Sequence, residues 1–171
     1  MTAVDVLNAL GGMVLIVDTR EQRTPAMDRR LKQVGVPYVR EKLNAGDYSA
    51  KFPMPDGTWY QLPVAVERKM NPDELANCYC KGRGRFQREF ERAQADGVKL
   101  YLLLESTSWE VIYSGKYRSK MTPQAFTASI LAWLARYNCQ ILMCSQLTTG
   151  RLIHDVLYRE GKEHLERMID E

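Results

Sequence analysis

The sequence has no apolar run approaching the ~20 residues that a membrane-spanning helix needs. Its N-terminus, Met1-Thr-Ala-Val-Asp-Val, lacks the basic residues that open a secretory signal peptide, so we expect an intracellular protein that is not secreted and binds no membrane. Repeats, low-complexity tracts and interior linkers are also missing. With 45% apolar and 26% charged residues, the 171-residue chain is expected to form a single globular domain over residues 1–171.

Residues that bind zinc are scarce. There are only two histidines, and the four cysteines have C-x-C and C-x4-C spacings, neither of which is a usual zinc pair. We therefore expect reduced thiols and no structural zinc site. Because the net charge is only +3, composition alone does not indicate nucleic-acid binding, and local clusters of charge would have to supply it.

Apolar runs and helix-start signals alternate along the chain. The runs predict buried strands at 13–17, 98–104 and 140–144. Helices are predicted after the Thr-Pro or Asn-Pro pairs at 24–25, 71–72 and 122–123, and again at 85–96. The chain from Thr148 is expected to be helical, with a break at Gly161. This alternation predicts an α/β fold of three layers, in which helices flank a central mixed sheet.

A hairpin is predicted around Asp56-Gly57, which is a strong turn signal between two strand patterns. A turn centred between these two residues makes paired residue numbers sum to about 113. Asp47 then lies opposite Val66, within one or two residues, and therefore close to Glu67.

Val66-Glu67-Arg68-Lys69 ends the second strand of that hairpin. Side chains alternate on a strand, so Glu67 and Lys69 share one face and Arg68 points to the other. A salt-bridged strand end is one interpretation, and a metal-binding carboxylate beside a phosphate-orienting lysine is the other. Asp47 favours the second, because Mg²⁺ takes one or two carboxylates and completes its shell with water and phosphate. These residues predict a magnesium-dependent phosphodiesterase.

Three further motifs accompany this segment in a fixed order: Val17-Asp18-Thr-Arg20-Glu21, Gly46-Asp47-Tyr48 and, after the Glu-Arg-Lys run, Asp73. Together they resemble the nuclease domain of XPF-type structure-specific endonucleases, whose signature is Gly-Asp, a spacer, Glu-Arg-Lys, three residues and Asp. Gly84-Arg-Phe86 and a strand ending in Glu105 also fit. The resemblance covers residues of about 14–105, with a long spacer between Asp47 and Glu67, and the part of about 122–171 adds no motif.

The resemblance implies a restriction-endonuclease-like core that cuts branched, flap or junction DNA with Mg²⁺ or Mn²⁺, in DNA repair, recombination or replication. Such a protein would be cytoplasmic or nucleoid-associated. The implied ligands of the metal are Asp47, Glu67 and Asp18. Lys69 would activate water or steady the phosphate, and Arg20 would contact phosphate. Arg68 and Asp73 complete the implied catalytic set, with Arg68 in a structural role and Asp73 holding the site from a helix start.

Some of these residues have a second interpretation. Asp18 ends a strand and could cap the following loop. An acid such as Asp73 in the first turn of a helix also stabilises the helix dipole, by about 0.3–1 kcal/mol.

Two other functions remain open. One is a Holliday-junction-resolvase-like nuclease on the same core, and the other is a non-catalytic DNA-binding or scaffold subunit. A degenerate subunit should have lost an acid or the lysine, whereas Asp47, Glu67 and Lys69 are all present.

Basic residues suggest a surface for DNA. Arg85, Arg88 and Arg92 form one stripe of a predicted helix, and Lys81 and Arg83 extend the basic surface into the loop before it, although a solvated helix face would look alike. A second basic cluster surrounds the first Thr-Pro helix and consists of Arg23, Arg29, Arg30 and Lys32.

Assembly can also be anticipated. XPF-type enzymes usually carry a helix-hairpin-helix module, which we do not find here, so an accessory DNA-binding protein could replace it. We expect a homodimer built from residues of about 122–171, because two broad apolar faces occur there, around Leu131 and around Leu152, Ile153, Val156 and Leu157. Alternatively, these faces simply cover the sheet.

Overall fold

A computed structural model of the chain describes residues 1–169. Its elements in chain order are α1 (Ala3–Gly11), β1 (Val14–Asp18), α2 (Pro25–Val34), β2 (Tyr38–Glu41), β3 (Tyr48–Pro53), β4 (Trp59–Gln61), β5 (Val64–Lys69), α3 (Pro72–Cys80), α4 (Arg83–Ala95), β6 (Lys99–Glu105), α5 (Trp109–Tyr113), α6 (Pro123–Arg136), β7 (Cys139–Cys144) and α7 (Thr149–Arg167). Among the described residues, no helix is long and apolar enough to cross a bilayer.

The strands form a mixed sheet in the order β2-β1-β3-β5-β6-β7, with β4 paired to β3. β1 runs parallel to β2 and antiparallel to β3, and β6 runs parallel to β7. Helices flank this sheet. The predicted α/β fold with three layers is therefore confirmed.

The chain divides into two compact units. Unit 1 comprises Met1–Leu43, Asp47–Ala65 and the chain from Thr149 onward, and unit 2 comprises Asn44–Gly46 and Val66–Thr148. Each unit is described by itself below. The single domain expected over residues 1–171 stays a prediction.

In unit 1, the long helix α7 packs on α1, α2 and β3. Its residues Ile153, Leu157 and Leu165 are fully buried there. The sequence had offered Ile153 and Leu157 as part of a dimer surface, and this assignment is wrong because the stripe they form covers the unit's own core. Ile153 and Leu157 thus belong to the interior of unit 1, whereas Leu152 and Val156 of the same predicted face stay partly exposed.

Gly161 does not break α7, which runs without interruption through Arg167. A Cβ atom at Gly161 would lie 2.2 Å from Cζ of Phe52, a fully buried ring on β3. The predicted break was therefore wrong. Glycine is needed at this point because the helix backbone lies directly on an aromatic ring.

The core of unit 2 is an aromatic cluster shared by α3, α4 and α6. Phe86 packs against Tyr79, Phe90 and Trp133, with ring centroids 4.9–5.9 Å apart. Trp133 and Phe90 are fully buried. Phe86, Phe90 and Trp133 therefore form the packing faces of α4 and α6, which contact β6 and β7.

The hairpin differs from expectation in two ways: its second strand, predicted to run on to Lys69, is divided into β4 and β5, and its register is shifted by one residue. Phe52 pairs with Tyr60, so residue numbers sum to 112 instead of 113. The loop has three residues, 55–57, closed by a hydrogen bond from the Met54 N–H to the Thr58 carbonyl (2.8 Å). The turn is consequently centred on Asp56, and Gly57 has a φ of +84°, in the left-handed region that glycine tolerates.

We predict that Gly161→Ala lowers the free energy of unfolding by about 1–3 kcal/mol, the usual cost of inserting a methyl group into a packed core. Urea unfolding of the whole chain measures this change. Gly11→Ala is the matched control, since nothing lies within 4 Å of the added Cβ and alanine favours the helix. Equal stability of Gly161→Ala and the parent would contradict the close approach to Phe52.

Candidate functional site

The charged end of β5 lies in unit 2 and divides between two faces, as predicted. Glu67 is 4% exposed and Lys69 is 9% exposed. The Lys69 ammonium donates a hydrogen bond to Oε1 of Glu67 and lies 5.2 Å from the centre of the Phe86 ring. The structure thus brings Glu67 and Lys69 together as a buried ion pair resting on the aromatic cluster.

Arg68 points away from that pair and binds Glu105, the last residue of β6. Two parallel hydrogen bonds join them, from Nε to Oε1 (2.8 Å) and from Nη2 to Oε2 (2.9 Å). Glu105 is 2% exposed, so the pair is largely withdrawn from water. The sequence marked Glu105 only as the end of a strand; its charge after an apolar run was the signal of this partner. Arg68 therefore ties the end of β5 to β6, which fits the structural role expected for it.

Gly46 has a φ of +80°, in the left-handed region that favours glycine, and this backbone conformation explains why the Gly-Asp motif has glycine at this position. Its N–H donates to Oε1 of Glu89 (3.1 Å). Two more hydrogen bonds hold Asn44 against α4, one to Asp96 (3.0 Å) and one from Arg92 (3.0 Å). In unit 2, residues 44–46 are therefore fixed to α4, immediately before Asp47.

Asp18 is buried in unit 1, where both of its oxygens accept hydrogen bonds. Oδ1 accepts from the backbone N–H (2.8 Å) and the Nε (2.6 Å) of Arg20, and Oδ2 accepts from the Leu43 N–H (2.6 Å). Its own N–H donates to the Asp47 carbonyl (2.8 Å), so the backbones of Asp18 and Asp47 meet at the ends of β1 and β3. The capping interpretation of Asp18 thus has direct geometric support, and Arg20 is half-exposed beside it.

These bonds set the charge state of Asp18. Burial is the largest single influence and opposes ionisation, but it is outweighed by the Arg20 side chain and the N–H donors of Leu43 and Arg20, so that the pKa of Asp18 lies below its ordinary value. Asp18 is therefore a carboxylate at neutral pH and holds the loops around residues 20 and 43 together.

A second buried network in unit 1 contains Tyr48 of the Gly-Asp-Tyr motif. Arg30 donates to the Tyr48 hydroxyl (2.7 Å), which donates to Glu21 (2.9 Å). Burial raises the pKa of Tyr48, so its hydroxyl stays protonated. Arg30 is 6% exposed, and its place in the second basic cluster is therefore corrected: it serves this internal network and not a surface.

Asp73 lies in the first turn of α3, in unit 2. Its Oδ1 accepts from the backbone N–H groups of Arg118 (2.8 Å) and Ser119 (2.7 Å). These hydrogen bonds tie the start of α3 to the segment between α5 and α6. No feature of the sequence near Asp73 indicated this partner.

The predicted basic stripe on α4 is exposed. Arg85, Arg88 and Arg92 face solvent, as does Arg83 at the start of α4, while Phe86 and Phe90 are buried on the opposite face. The Arg83 guanidinium lies 5.1 Å from the Trp133 ring centre, which orders its stem against the core.

The donor set predicted for a metal is chemically suitable. Aspartate and glutamate oxygens are the ligands that Mg²⁺ prefers, and it needs only one or two of them from a protein. In the part of the chain that the structure describes, no group of three or more His, Cys, Asp or Glu side chains forms a ready-made metal site. Asp47, Glu67 and Asp18 as metal ligands therefore stay predictions, and Glu67 already has a cationic neighbour in Lys69.

Comparison with known proteins places these motifs in context. The family model of the ERCC4 domain matches residues 17–155. XPF from Aeropyrum pernix has a similar solved structure (TM-score 0.59, 19% identity), with 84% of this chain and 59% of that chain covered. XPF from Aeropyrum pernix in complex with DNA gives a TM-score of 0.61 at 20% identity, with coverages of 88% and 65%. The chain thus spans about three-fifths of those chains, and at this identity the likeness concerns the fold. Curated protein sequences give no match.

We predict that Asp18→Asn lowers the free energy of unfolding at pH 7 by about 1–3 kcal/mol, because the amide turns a donor toward another N–H. A carboxylate with a lowered pKa stabilises the fold above its unfolded pKa, about 3.9, and the gain is lost as pH falls through the folded pKa. Urea unfolding between pH 7 and 2.5 should show the two proteins converging in acid. A difference in the free energy of unfolding that stays constant with pH would contradict this role. So would an equal loss of stability in Asp28→Asn, which changes an exposed carboxylate.

Proposed function

Because the chain belongs to the ERCC4 domain family, we propose that it is a metal-dependent endonuclease that hydrolyses phosphodiester bonds in branched, flap or junction DNA. Membership confirms the family resemblance drawn from the ordered motifs. The observation that carries the proposed activity is the buried Glu67–Lys69 pair at the end of β5. It gives the Glu-Arg-Lys motif an acid and a cation on the same face of one strand.

The energetics of this pair favour a role in catalysis over a role in stability. Withdrawing two charges from water costs about as much as their attraction returns, and apolar residues of the same volume are often equally stable or better. A sheet could therefore end in apolar side chains at this point. An ion pair is useful here because either partner can exchange the other for a ligand of the same charge.

Each residue has a role in the proposal. Glu67, together with Asp47, would hold Mg²⁺ or Mn²⁺. When bound, the ion would supply a Lewis acid that neutralises phosphate charge and lowers the pKa of water. Lys69, whose ammonium group lies over the Phe86 ring, would orient the phosphate or the attacking water. Arg68 would keep the end of β5 in place through Glu105.

Asp18 and Arg20 act beside this set. In the structure both oxygens of Asp18 accept N–H groups, so we assign Asp18 first to orienting Arg20, whose half-exposed guanidinium would contact phosphate. Arg83, Arg85 and Arg88 would add phosphate contacts from α4 that carry no base information.

The competing functions differ in what they require. A non-catalytic DNA-binding subunit has no use for an intact Asp47, Glu67 and Lys69, whereas a junction resolvase would use the same residues on a four-way substrate. The presence of all three favours a nuclease. An intracellular location, cytoplasmic or nucleoid-associated, and an accessory DNA-binding protein belong to the same proposal.

We also propose that two copies pair. With Ile153 and Leu157 buried in unit 1, the most exposed apolar residue of the predicted pairing surface is Leu131 on α6, which is 48% exposed. Light scattering at micromolar concentration should give twice the monomer mass, and Leu131→Glu should halve it. A monomeric parent would remove the dimer from the proposal without affecting the site.

The site is tested by Glu67→Gln and Asp47→Asn, which keep side-chain shape and remove one charge each. We expect both to lower cleavage of a labelled flap substrate in Mg²⁺ by at least about 100-fold, as losses of electrostatic stabilisation in active sites do. DNA affinity, measured in chelator, should change little. Lys69→Met, which retains a stem against Phe86, should also cleave slowly.

Glu163→Gln is the matched control, an exposed carboxylate on α7 that should cleave like the parent. If Glu67→Gln and Asp47→Asn also cleave at the parental rate, the assignment of the site is wrong.

A further inference from the structure

The segment between α5 and α6 presents three cations in a regular pattern. Lys116, Arg118 and Lys120 are exposed, while Tyr117 and Ser119 between them are only partly exposed. We call residues 116–120 the KR loop. It contains no acidic residue, so every charge that it shows to solvent is positive.

Asp73 holds the centre of the KR loop through the backbone. One carboxylate oxygen accepts the N–H groups of both Arg118 (2.8 Å) and Ser119 (2.7 Å). The ion pair between Asp73 and the Arg118 side chain is a minor addition, because it spans 3.4 Å and that side chain is 89% exposed. The main effect of Asp73 is thus on the path of the loop, and the Arg118 guanidinium remains in water.

Both ends of the KR loop are fixed as well. The Lys116 N–H donates to the carbonyl of Val111, the middle residue of α5 (3.1 Å). The Tyr117 hydroxyl donates to the Met121 carbonyl (2.8 Å), and its ring packs edge-on against Phe126 (5.2 Å). The inward side chains therefore anchor the loop, and the alternate outward ones are cations.

Such a loop can bind an anion at a low cost in conformational entropy. Its backbone is ordered on folding, so that binding has to immobilise only side chains. An anion that matches it must carry repeated charges, because the three cations follow one another along the chain. Tyr117 is turned inward, so the loop offers no aromatic platform for unpaired bases. These features fit the phosphate backbone of DNA, read by charge alone.

We propose that the KR loop is a DNA-backbone contact surface and that Asp73 is its positioning residue. The choice of DNA as the ligand rests on the proposed function. The signature's last aspartate then acts by shaping a binding loop through two backbone hydrogen bonds.

The surface is tested with the triple variant Lys116→Gln, Arg118→Gln and Lys120→Gln. Binding to fluorescent fork DNA of two unrelated sequences is measured by anisotropy in EDTA, from 50 to 200 mM NaCl. Each lost phosphate contact lowers the slope of log affinity against log salt by about 0.9, so we expect a slope shallower by about 2–3. Affinity at 50 mM NaCl should fall at least about tenfold for both sequences.

The matched control removes three exposed arginines from α7, as Arg151→Gln, Arg159→Gln and Arg167→Gln, with the same change in net charge. Its slope should stay within about one unit of the parent's, roughly the effect of one contact. Equal slopes for the two triple variants would overturn the proposal. The proposal would also be overturned if the triple variant of the KR loop bound DNA as tightly as the parent but no longer bound polyglutamate as the parent does. That result would indicate an acidic protein partner.

The positioning role is tested by comparing Asp73→Asn with Asp73→Ala. The amide oxygen of asparagine still accepts both N–H groups, so Asp73→Asn should bind DNA within about twofold of the parent in EDTA. Alanine frees the loop, and Asp73→Ala should bind at least about fivefold more weakly although all three cations remain. If asparagine weakens binding as much as alanine, the charge matters and not the loop, and the proposal fails.

Circular dichroism checks that each variant is folded. If Asp73→Ala is unfolded, the proposal is tested by Asp73→Asn and by the triple variant of the KR loop. Because all of these measurements exclude metal, they are independent of cleavage. A parent that binds DNA through the KR loop but never cuts it would overturn only the proposed nuclease activity.

Discussion

The end of β5 places three consecutive charged side chains in a largely buried environment, and each must be neutralised. Strand geometry sends Glu67 and Lys69 to one face and Arg68 to the other, so one pair can form within the strand and the third charge needs a partner from outside. Glu105 at the end of β6 supplies it. An uncompensated buried charge costs about 3–5 kcal/mol, a large part of the net stability of any domain. The Glu67–Lys69 and Arg68–Glu105 pairs avoid that cost.

The acids of the motif fall into two groups according to the groups that bind them. Asp18 and Asp73 accept backbone N–H groups, and each fixes a distant segment: the chain near Leu43 for Asp18, and the KR loop for Asp73. Glu67 is instead paired with a side-chain cation, which can move. In our account, the acids bound to the backbone shape the surroundings, and the acid paired with lysine takes part in the chemistry together with Asp47.

Local signals predicted most of the elements. The caps Thr24, Asn71 and Thr122 each accept the N–H expected of a helix start. α1 was missed although Thr2 and Asp5 form a capping box, and α5 was missed because five residues are too few to show a helical period. The absence of these two helices from the prediction does not affect the predicted fold class.

Such local signals do not predict contacts between residues that are distant in the sequence. The sequence predicts a helix break at Gly161 because it does not reveal the Phe52 ring beneath this residue. It predicts a surface cation at Arg30 because the partner of Arg30, Tyr48, lies 18 residues away. The partner of Asp73 is 45 residues away and is a pair of backbone N–H groups, for which side-chain identity carries no signal.

The central claim is that the chain cuts DNA and selects its substrate by structure. The most direct measurement incubates the purified protein with flap, fork, Holliday-junction and linear DNA of the same sequence, each in Mg²⁺, Mn²⁺ or EDTA. We predict cuts near the branch point in the branched substrates with either metal ion, slow cleavage of linear DNA and none in EDTA. Binding of the branched substrates without cleavage in either metal ion would contradict the account and indicate a non-catalytic subunit.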